Sequence, residues 1–384
     1  MPLSFKKLLF ASLLSLTALG LVSCGEKTEE AGSAAPTTAA EEEKILNIYN
    51  WADYIAPDTI ANFEKETGIK VRYDTFDSNE ILNAKLIAKN TGYDIVVPSS
   101  NWAKQQLEGG LFQKLDRSKL TNWGNLDPGI LKLMERVDPG NQYLVDWMWS
   151  YNTVGINVDK VKAALGDTPM PDNAWDLIFN PTYTSKLKSC GVVFLDTPTD
   201  VFQAALHYMG KPIVGVTEDD YKAAYDMLMK VRPDISKFAS GGQIDDLASG
   251  NVCVAYGWAG DFNLARNRSI ENGSEQNIVA LVPKTGGLMF MDVMAIPADA
   301  KHPGNAHQFI NYVMRPEVVA AITNEVTYAN PNKAATEFVN KEIKENKSVY
   351  LTDEDVAKLV PPDVEDSKAK RVITRLYTQF KTGT

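Results

Sequence analysis

Histidine and cysteine are both scarce in this chain, three residues each in 384. No H-E-x-x-H, G-x-S-x-G, phosphate-loop or G-x-G-x-x-G motif occurs, so zinc-protease, serine-hydrolase, nucleotide and dinucleotide chemistry have no foothold. His302 sits beside Pro303 in a polar stretch, and neither His207 nor His307 falls in a ligand-like spacing. No catalytic residue, metal or cofactor is expected. Carboxylates are plentiful, but no spacing singles out a glycosidase-like pair. Internal repeats and low-complexity tracts are also missing from the body of the chain.

Basic charge is in deficit, 39 Lys and Arg against 49 Asp and Glu. Residues 1–23 carry Lys6 and Lys7, then a mostly apolar run from Leu8 to Val22, and end on Ser23. That is a secretory signal, too short and wrongly flanked to span a membrane. Its removal takes away two lysines and no acid, leaving 37 against 49, a net charge of −12. Such a balance disfavours nucleic acid and mildly favours cationic ligands. Leu21-Val22-Ser23-Cys24 resembles a lipobox, in which Cys24 is lipidated and becomes the mature N-terminus. Residues 24–44 hold Glu, Ala, Thr and Ser with no large apolar residue before the strand at Ile45, and read as a flexible tether. With Cys24 assigned to lipid, Cys190 and Cys253 remain. In an exported chain a disulfide is the default, and its loop of roughly 60 residues would contribute about 4 kcal/mol in the chain-entropy account. Two buried free thiols are the alternative.

The body alternates strand and helix signals. Ile45 to Tyr49 reads as a strand, Pro57-Asp58 opens a helix ending at Gly68, and Ile69, Val71 and Tyr73 alternate as a second strand. Ile81, Leu82 and Leu86 follow at helical spacing, and Ile95-Val96-Val97 is a buried run stopped by Pro98. This βαβαβ order implies a parallel sheet covered by helices, with ligands bound beyond the carboxyl ends of the strands. The apolar stretch Tyr143 to Trp149, leading into Val154 to Asn157, predicts a strand crossing between lobes. A second crossing is expected between Ile278 and Met294. Two lobes with a cleft between them suit closure on a small ligand. The predicted partition is 45–147 plus 283–323 for one lobe and 148–282 plus 324–384 for the other.

Aromatic residues recur beside polar ones where strands run out: Asn47-Ile48-Tyr49-Asn50-Trp51-Ala52-Asp53-Tyr54, Gly257-Trp258-Ala259-Gly260-Asp261, Phe290-Met291-Asp292 and Thr327-Tyr328-Ala329-Asn330. Aromatic faces attract cations and an Asp supplies the counter-charge, so each reads as part of an organic-ammonium site. The plainer reading is a core aromatic beside a helix-capping or strand-end acid.

N-I-Y-N-W-A-D-Y-I-A-P at 47–57, the Val-Val-Pro-Ser-Ser run ending at Ser100, L-K-S-C-G-V from Leu187, G-W-A-G-D at 257–261 and Y-A-N-P-N-K-A-A from Tyr328 resemble the bacterial periplasmic polyamine-binding proteins, receptors of spermidine/putrescine ABC transporters. The likeness covers essentially everything after the tether and runs nearest to the putrescine-binding member. It implies an α/β, two-lobed periplasmic binding protein fold of the type II kind, each lobe a mainly parallel sheet flanked by helices. It also implies a monomer that delivers ligand to a membrane permease and has no enzyme activity. Carried over, the family's ligand set falls on Trp51, Ala52, Asp53, Tyr54, Ser99, Asp200, Ser240, Trp258, Asp261, Phe290, Asp292 and Tyr328. Ala52 stands where the putrescine binder has Ser, and Asp200 where it has Glu. The resemblance also pairs Cys190 with Cys253.

Such a set fits a diamine, whose two hydrated ammonium groups must exchange water for protein at each end of an apolar chain. Asp292, with Ser99 as an oxygen acceptor, would hold one ammonium; Asp53, Asp261 and Asp200 would hold the other, partly through water. Trp51, Trp258, Phe290 and Tyr328 would pack the methylenes. Spermidine, agmatine and cadaverine remain alternative ligands, sensing an alternative to import, and an enzyme acting on amines or glycans an alternative class.

Overall fold

The computed structural model describes residues 42–240, 242–361 and 366–383. The signal segment, Cys24 and the tether through residue 41 lie outside them. The body opens in the expected order: β1 (Ile45–Trp51), α1 (Pro57–Thr67), β2 (Lys70–Phe76), α2 (Asn79–Ala88), β3 (Ile95–Val96). Pro57 presets the first turn of α1, and Gly68 ends it in the left-handed conformation at φ 72°, donating its N–H to Glu64 O. In α2, Ser78 caps the N-terminus and Leu82 and Leu86 face the core, whereas Ile81 is exposed. Both β2 and β3 pair with β1 in parallel.

A single long strand joins the two halves of the molecule. β4 (Leu144–Asn157) pairs antiparallel with β9 (Met289–Ala295) along its first part. Its second part pairs antiparallel with β7 (Val254–Trp258) and β8 (Ile278–Ala280). Beyond β7 lie β5 (Val192–Phe194) and β6 (Lys237–Phe238), both parallel. The resulting order among the described residues is β2-β1-β3-β9-β4-β7-β5-β6, with β8 on β4. Apolar packing follows the same division. Leu46, Ile48, Phe63, Ile95 and Phe309 share one core with Met148, while Trp175, Phe194, Phe202, Tyr256 and Phe380 share another with Val154 and Ile156. Along β4, Met148 packs into the first of these cores, and Val154 and Ile156 into the second.

Two expected boundaries move. Val326, Tyr328, Ala335 and Val339 pack into the first lobe's core, not the second's. The backbone explains this: Asp127 N donates to Pro331 O at 2.7 Å and Trp149 N to Ala329 O at 2.9 Å, tying the segment after residue 323 to first-lobe loops. The chain returns to the second lobe later, and Ile373, Leu376, Tyr377 and Phe380 of the final helix Ser367–Thr382 join its core. The tether is also shorter than 24–44. Glu42 accepts hydrogen bonds from the Gly304 and Asn305 N–H groups, at 2.9 and 2.8 Å, at the start of the helix Pro303–Val313. Unsatisfied N–H groups and the positive end of a helix dipole hold a carboxylate there, so residues 42–44 belong to the folded body. Cys190 and Cys253 form a disulfide, with Cα atoms 5.5 Å apart, where β7 begins.

Candidate functional site: an acidic, aromatic cleft

The strand ends converge on a cavity between the lobes. All twelve residues carried over by resemblance line it, contributed by both sides. Trp51, Ala52, Asp53 and Tyr54 follow from the end of β1, and Ser99 precedes the helix Ser100–Glu108. Phe290 and Asp292 lie on β9. Asp200 and Asp261 each occupy the first turn of a helix, Pro198–Tyr208 and Ala259–Glu271, and Trp258 precedes the latter. Helix starts favour carboxylates, which is one reason acids stand at these two positions.

Asp292 is buried, at 4% exposure, and accepts from Ser99 Oγ at 2.6 Å and from Tyr54 OH at 3.0 Å. Ser99 Oγ in turn accepts from Asn79 Nδ2 at 3.0 Å. Ser99 thus orients Asp292 in addition to any role as an oxygen acceptor for ligand. Asp261 accepts from Tyr328 OH at 2.7 Å and from Gln243 Nε2 at 3.2 Å. Burial holds the Tyr54 and Tyr328 phenols well above their ordinary range, so both remain hydrogen-bond donors. Tyr54 and Tyr328 meet edge to face at 4.9 Å, and Trp51 and Trp258 at 6.3 Å. The Trp51 indole is fixed by its N–H, which donates to Val97 O at 2.9 Å. Gly260 permits this packing. A Cβ there would overlap the Tyr328 ring, so only glycine lets that ring lie against the helix start and reach Asp261.

Six acids line the cavity, Asp53, Asp77, Glu80, Asp200, Asp261 and Asp292, and no lysine or arginine does so among the described residues. Burial pushes Asp292 up to about 7, against the hydrogen bonds from Ser99 and Tyr54, with repulsion from Asp200 and Asp261 adding to it. Asp200 rises to about 7 by burial, opposed by Thr197 beside it and assisted by Glu80. Asp261 rises to about 6, again chiefly by burial. These carboxyl groups are costly to ionise together without a positive partner.

Asp53 behaves differently from the expectation. It does not cap α1, whose N-cap is Ala56, and it adopts φ 53° in the left-handed region. Its Oδ1 lies 2.7 Å from Arg268 Nη2. A guanidinium from the facing lobe therefore engages this acid, one of the three expected to hold the second ammonium. Sequence reasoning did not single out Arg268, nor Asn79, Glu80, Trp102 and Asn152 in the cavity wall. Asn152 had a legible signal, a polar residue inside a buried strand; the others are unremarkable helix residues. Asp146 was also passed over. It is buried on β4, both its oxygens lack a hydrogen-bond partner among the described residues, and burial, with Asp292 nearby, holds it well above the carboxylate range.

The sequence profile of the bacterial extracellular solute-binding proteins matches residues 58–350. The chain is 52% identical over 347 residues to the putrescine-binding periplasmic protein PotF of Escherichia coli, covering 90% of this chain and 94% of that one. It is 45% identical over 354 residues to the putrescine-binding periplasmic protein SpuD of Pseudomonas aeruginosa, covering 92% and 96%. The spermidine/putrescine ABC transporter substrate-binding protein PotD of Streptococcus pneumoniae superposes with a TM-score of 0.72 at 27% identity, over 89% of this chain and 99% of that one. With two lobes about one acidic cleft, and with relatives matched along nine-tenths of its length, the chain belongs to the bacterial extracellular solute-binding proteins, among which it resembles the polyamine receptors.

Proposed function

We propose that this protein is a lipid-anchored extracytoplasmic receptor that closes its lobes over a protonated diamine, foremost putrescine, and hands it to an ABC permease. The observation that carries the reading is the cavity's charge: among the described residues six acids and no lysine or arginine line it, and burial resists ionisation of three of the acids. A dication supplies the missing positive partner at both ends. Asp292, oriented by Ser99 and Tyr54, receives one ammonium. Asp261 and Asp200 receive the other, with Ser240, whose hydroxyl has no partner among the described residues, within the same wall. Trp51, Trp258, Phe290 and Tyr328 cover the methylenes and add cation–π attraction. The names of the relatives, putrescine-binding in the two most extensive matches given above, support the same ligand.

A receptor returns its ligand unchanged, and the site needs no nucleophile or acid–base pair for this role. Calorimetric titration of ligand-free protein with putrescine, cadaverine, agmatine, spermidine and spermine tests the reading. Tightest binding is expected for putrescine. Heat with none of the five, or turnover of the amine detected by mass analysis, overturns it.

A further inference from the structure

Asp200 lines the cleft with its side chain and is tied to the second lobe's sheet through its backbone. Its carbonyl oxygen accepts a hydrogen bond from Tyr256 OH at 2.8 Å, and Tyr256 is fully buried on β7. The tyrosine hydroxyl in turn accepts from Asn152 Nδ2 at 3.0 Å, the amide of a buried residue on β4 that also lines the cavity. Chemistry fixes the direction of this chain. A tyrosine has a single hydroxyl proton and a carbonyl only accepts, so the proton goes to Asp200 and Asn152 must present its amide nitrogen instead of its oxygen. Three elements are thereby joined, two paired strands and the first turn of the helix Pro198–Tyr208.

What the chain sets is the place of a charge. An aspartate carboxyl carbon stands only two bonds from its own Cα, so the backbone position decides where the carboxylate meets the ligand. This side chain is one methylene shorter than the glutamate that the resemblance leads one to expect, and it has less reach with which to compensate for a shifted backbone. Burial raises the Asp200 carboxyl to about 7, and the Thr197 and Asn152 side chains oppose that rise, so Asn152 also favours the ionised form that a dication needs. A buried polar chain with every link made holds one arrangement. Removing one link leaves the others unpaired and the arrangement loosened.

Resting on the reading that Asp200 receives one ammonium of a diamine, we propose that Asn152 and Tyr256 are positioning residues for ligand capture, which hold Asp200 where it meets that ammonium.

The test is a double-mutant cycle on putrescine affinity, measured by calorimetry in the full-length mature protein. Asn152→Leu and Tyr256→Phe are each made in the wild type and in Asp200→Asn. Leucine removes the amide, and phenylalanine removes a single oxygen. Asn152→Leu is expected to weaken putrescine binding roughly tenfold and Tyr256→Phe roughly fivefold, whereas in Asp200→Asn neither changes it by more than about twofold. A general loosening of the fold would cost the same factor in both backgrounds, so the difference between backgrounds isolates the action through Asp200. Tyr256→Phe decides the outcome alone should Asn152→Leu not fold. Equal losses in both backgrounds, or no loss in the wild type, overturn the positioning role and leave the diamine reading intact. An Asp200→Asn protein that binds putrescine as the wild type does removes Asp200 from the site and overturns the proposal with it, and failure of the wild type to bind putrescine overturns both readings.

Discussion

Arg268 and Asp53 form an ion pair across the mouth of the cleft, Nη2 to Oδ1 at 2.7 Å, with Asp245 held on the other guanidinium nitrogen at 3.1 Å. Arg268 belongs to the helix that carries Asp261, and Asp53 lies two residues beyond the end of β1, so the pair links the two sides of the cleft. Both side chains are partly exposed, which limits its strength to about 1 kcal/mol or less. Arg268→Gln is expected to speed ligand release by up to about fivefold, with the effect shrinking as salt is raised. Stopped-flow dissociation at low and high salt measures this. Equal release rates in the two proteins at low salt would show that the pair is incidental.

Asp292→Asn should nearly abolish binding. The substitution leaves a desolvated ammonium without counter-charge and disturbs the bonds from Ser99 and Tyr54. Breaking such a buried pair costs about 3–5 kcal/mol, a hundredfold to several thousandfold in affinity. Calorimetry giving an affinity within threefold of wild type would reduce Asp292 to a structural acid.

Acidity should act in opposite directions on the free and the liganded protein. Asp200 and Asp292, at about 7, and Asp261, at about 6, are all raised above ordinary carboxylate values. A raised folded-state value means the fold binds protons more readily than the unfolded chain. Their contribution is complete below about pH 4 and is lost as pH rises toward 7. The ligand-free protein is therefore expected to melt at higher temperature at pH 5 than at pH 7.5. A dication needs the ionised forms, so affinity falls over the same descent and binding at pH 6.5 releases protons. Thermal scans, and titrations in buffers of different ionisation enthalpy, measure the two signs. Affinity that is flat from pH 7.5 to 5 would contradict them.

Gly260→Ala should damage the site more than its small size suggests. The added methyl meets the Tyr328 ring, which must retreat and release its hydrogen bond to Asp261. Overpacking of this kind costs roughly 1–3 kcal/mol of stability. Affinity is expected to fall along with the melting temperature, since Tyr328 orients Asp261 and, on the proposed reading, covers the ligand. A variant that melts lower but titrates like wild type would mean that the ring relaxes without disturbing Asp261.

If Cys24 carries the proposed lipid, Cys24→Ser should free the mature protein from the membrane fraction without altering ligand affinity, because the lipidated position lies 18 residues before Glu42, where the described body begins. Cell fractionation followed by titration of the released protein checks both halves. A Ser variant that is correctly cleaved and still pellets with membranes would exclude lipid anchoring through Cys24.

Much of this molecule is legible without coordinates. Local periodicity determines β1, α1, β2, α2 and the buried run at β3, because burial on a sheet or helix imposes its repeat on neighbouring residues. Pro57 and Gly68 mark the ends of α1 for the same local reason. Several aromatic and acidic residues of the cleft, Trp51, Asp53, Trp258 and Asp261 among them, are also visible, since they stand at or just beyond the end of a strand. Tertiary structure alone decided how those residues are shared. It set Arg268, 215 positions along the chain, against Asp53. It left Asp146 without a hydrogen-bond partner among the described residues and placed Lys370 over Trp102. It also carried Tyr328 into the first lobe through hydrogen bonds that no repeat announces. Side-chain pairing across a cleft depends on the spatial meeting of distant segments. Neither propensity nor pattern encodes that meeting, because the energy of a charge depends on what the folded chain sets beside it.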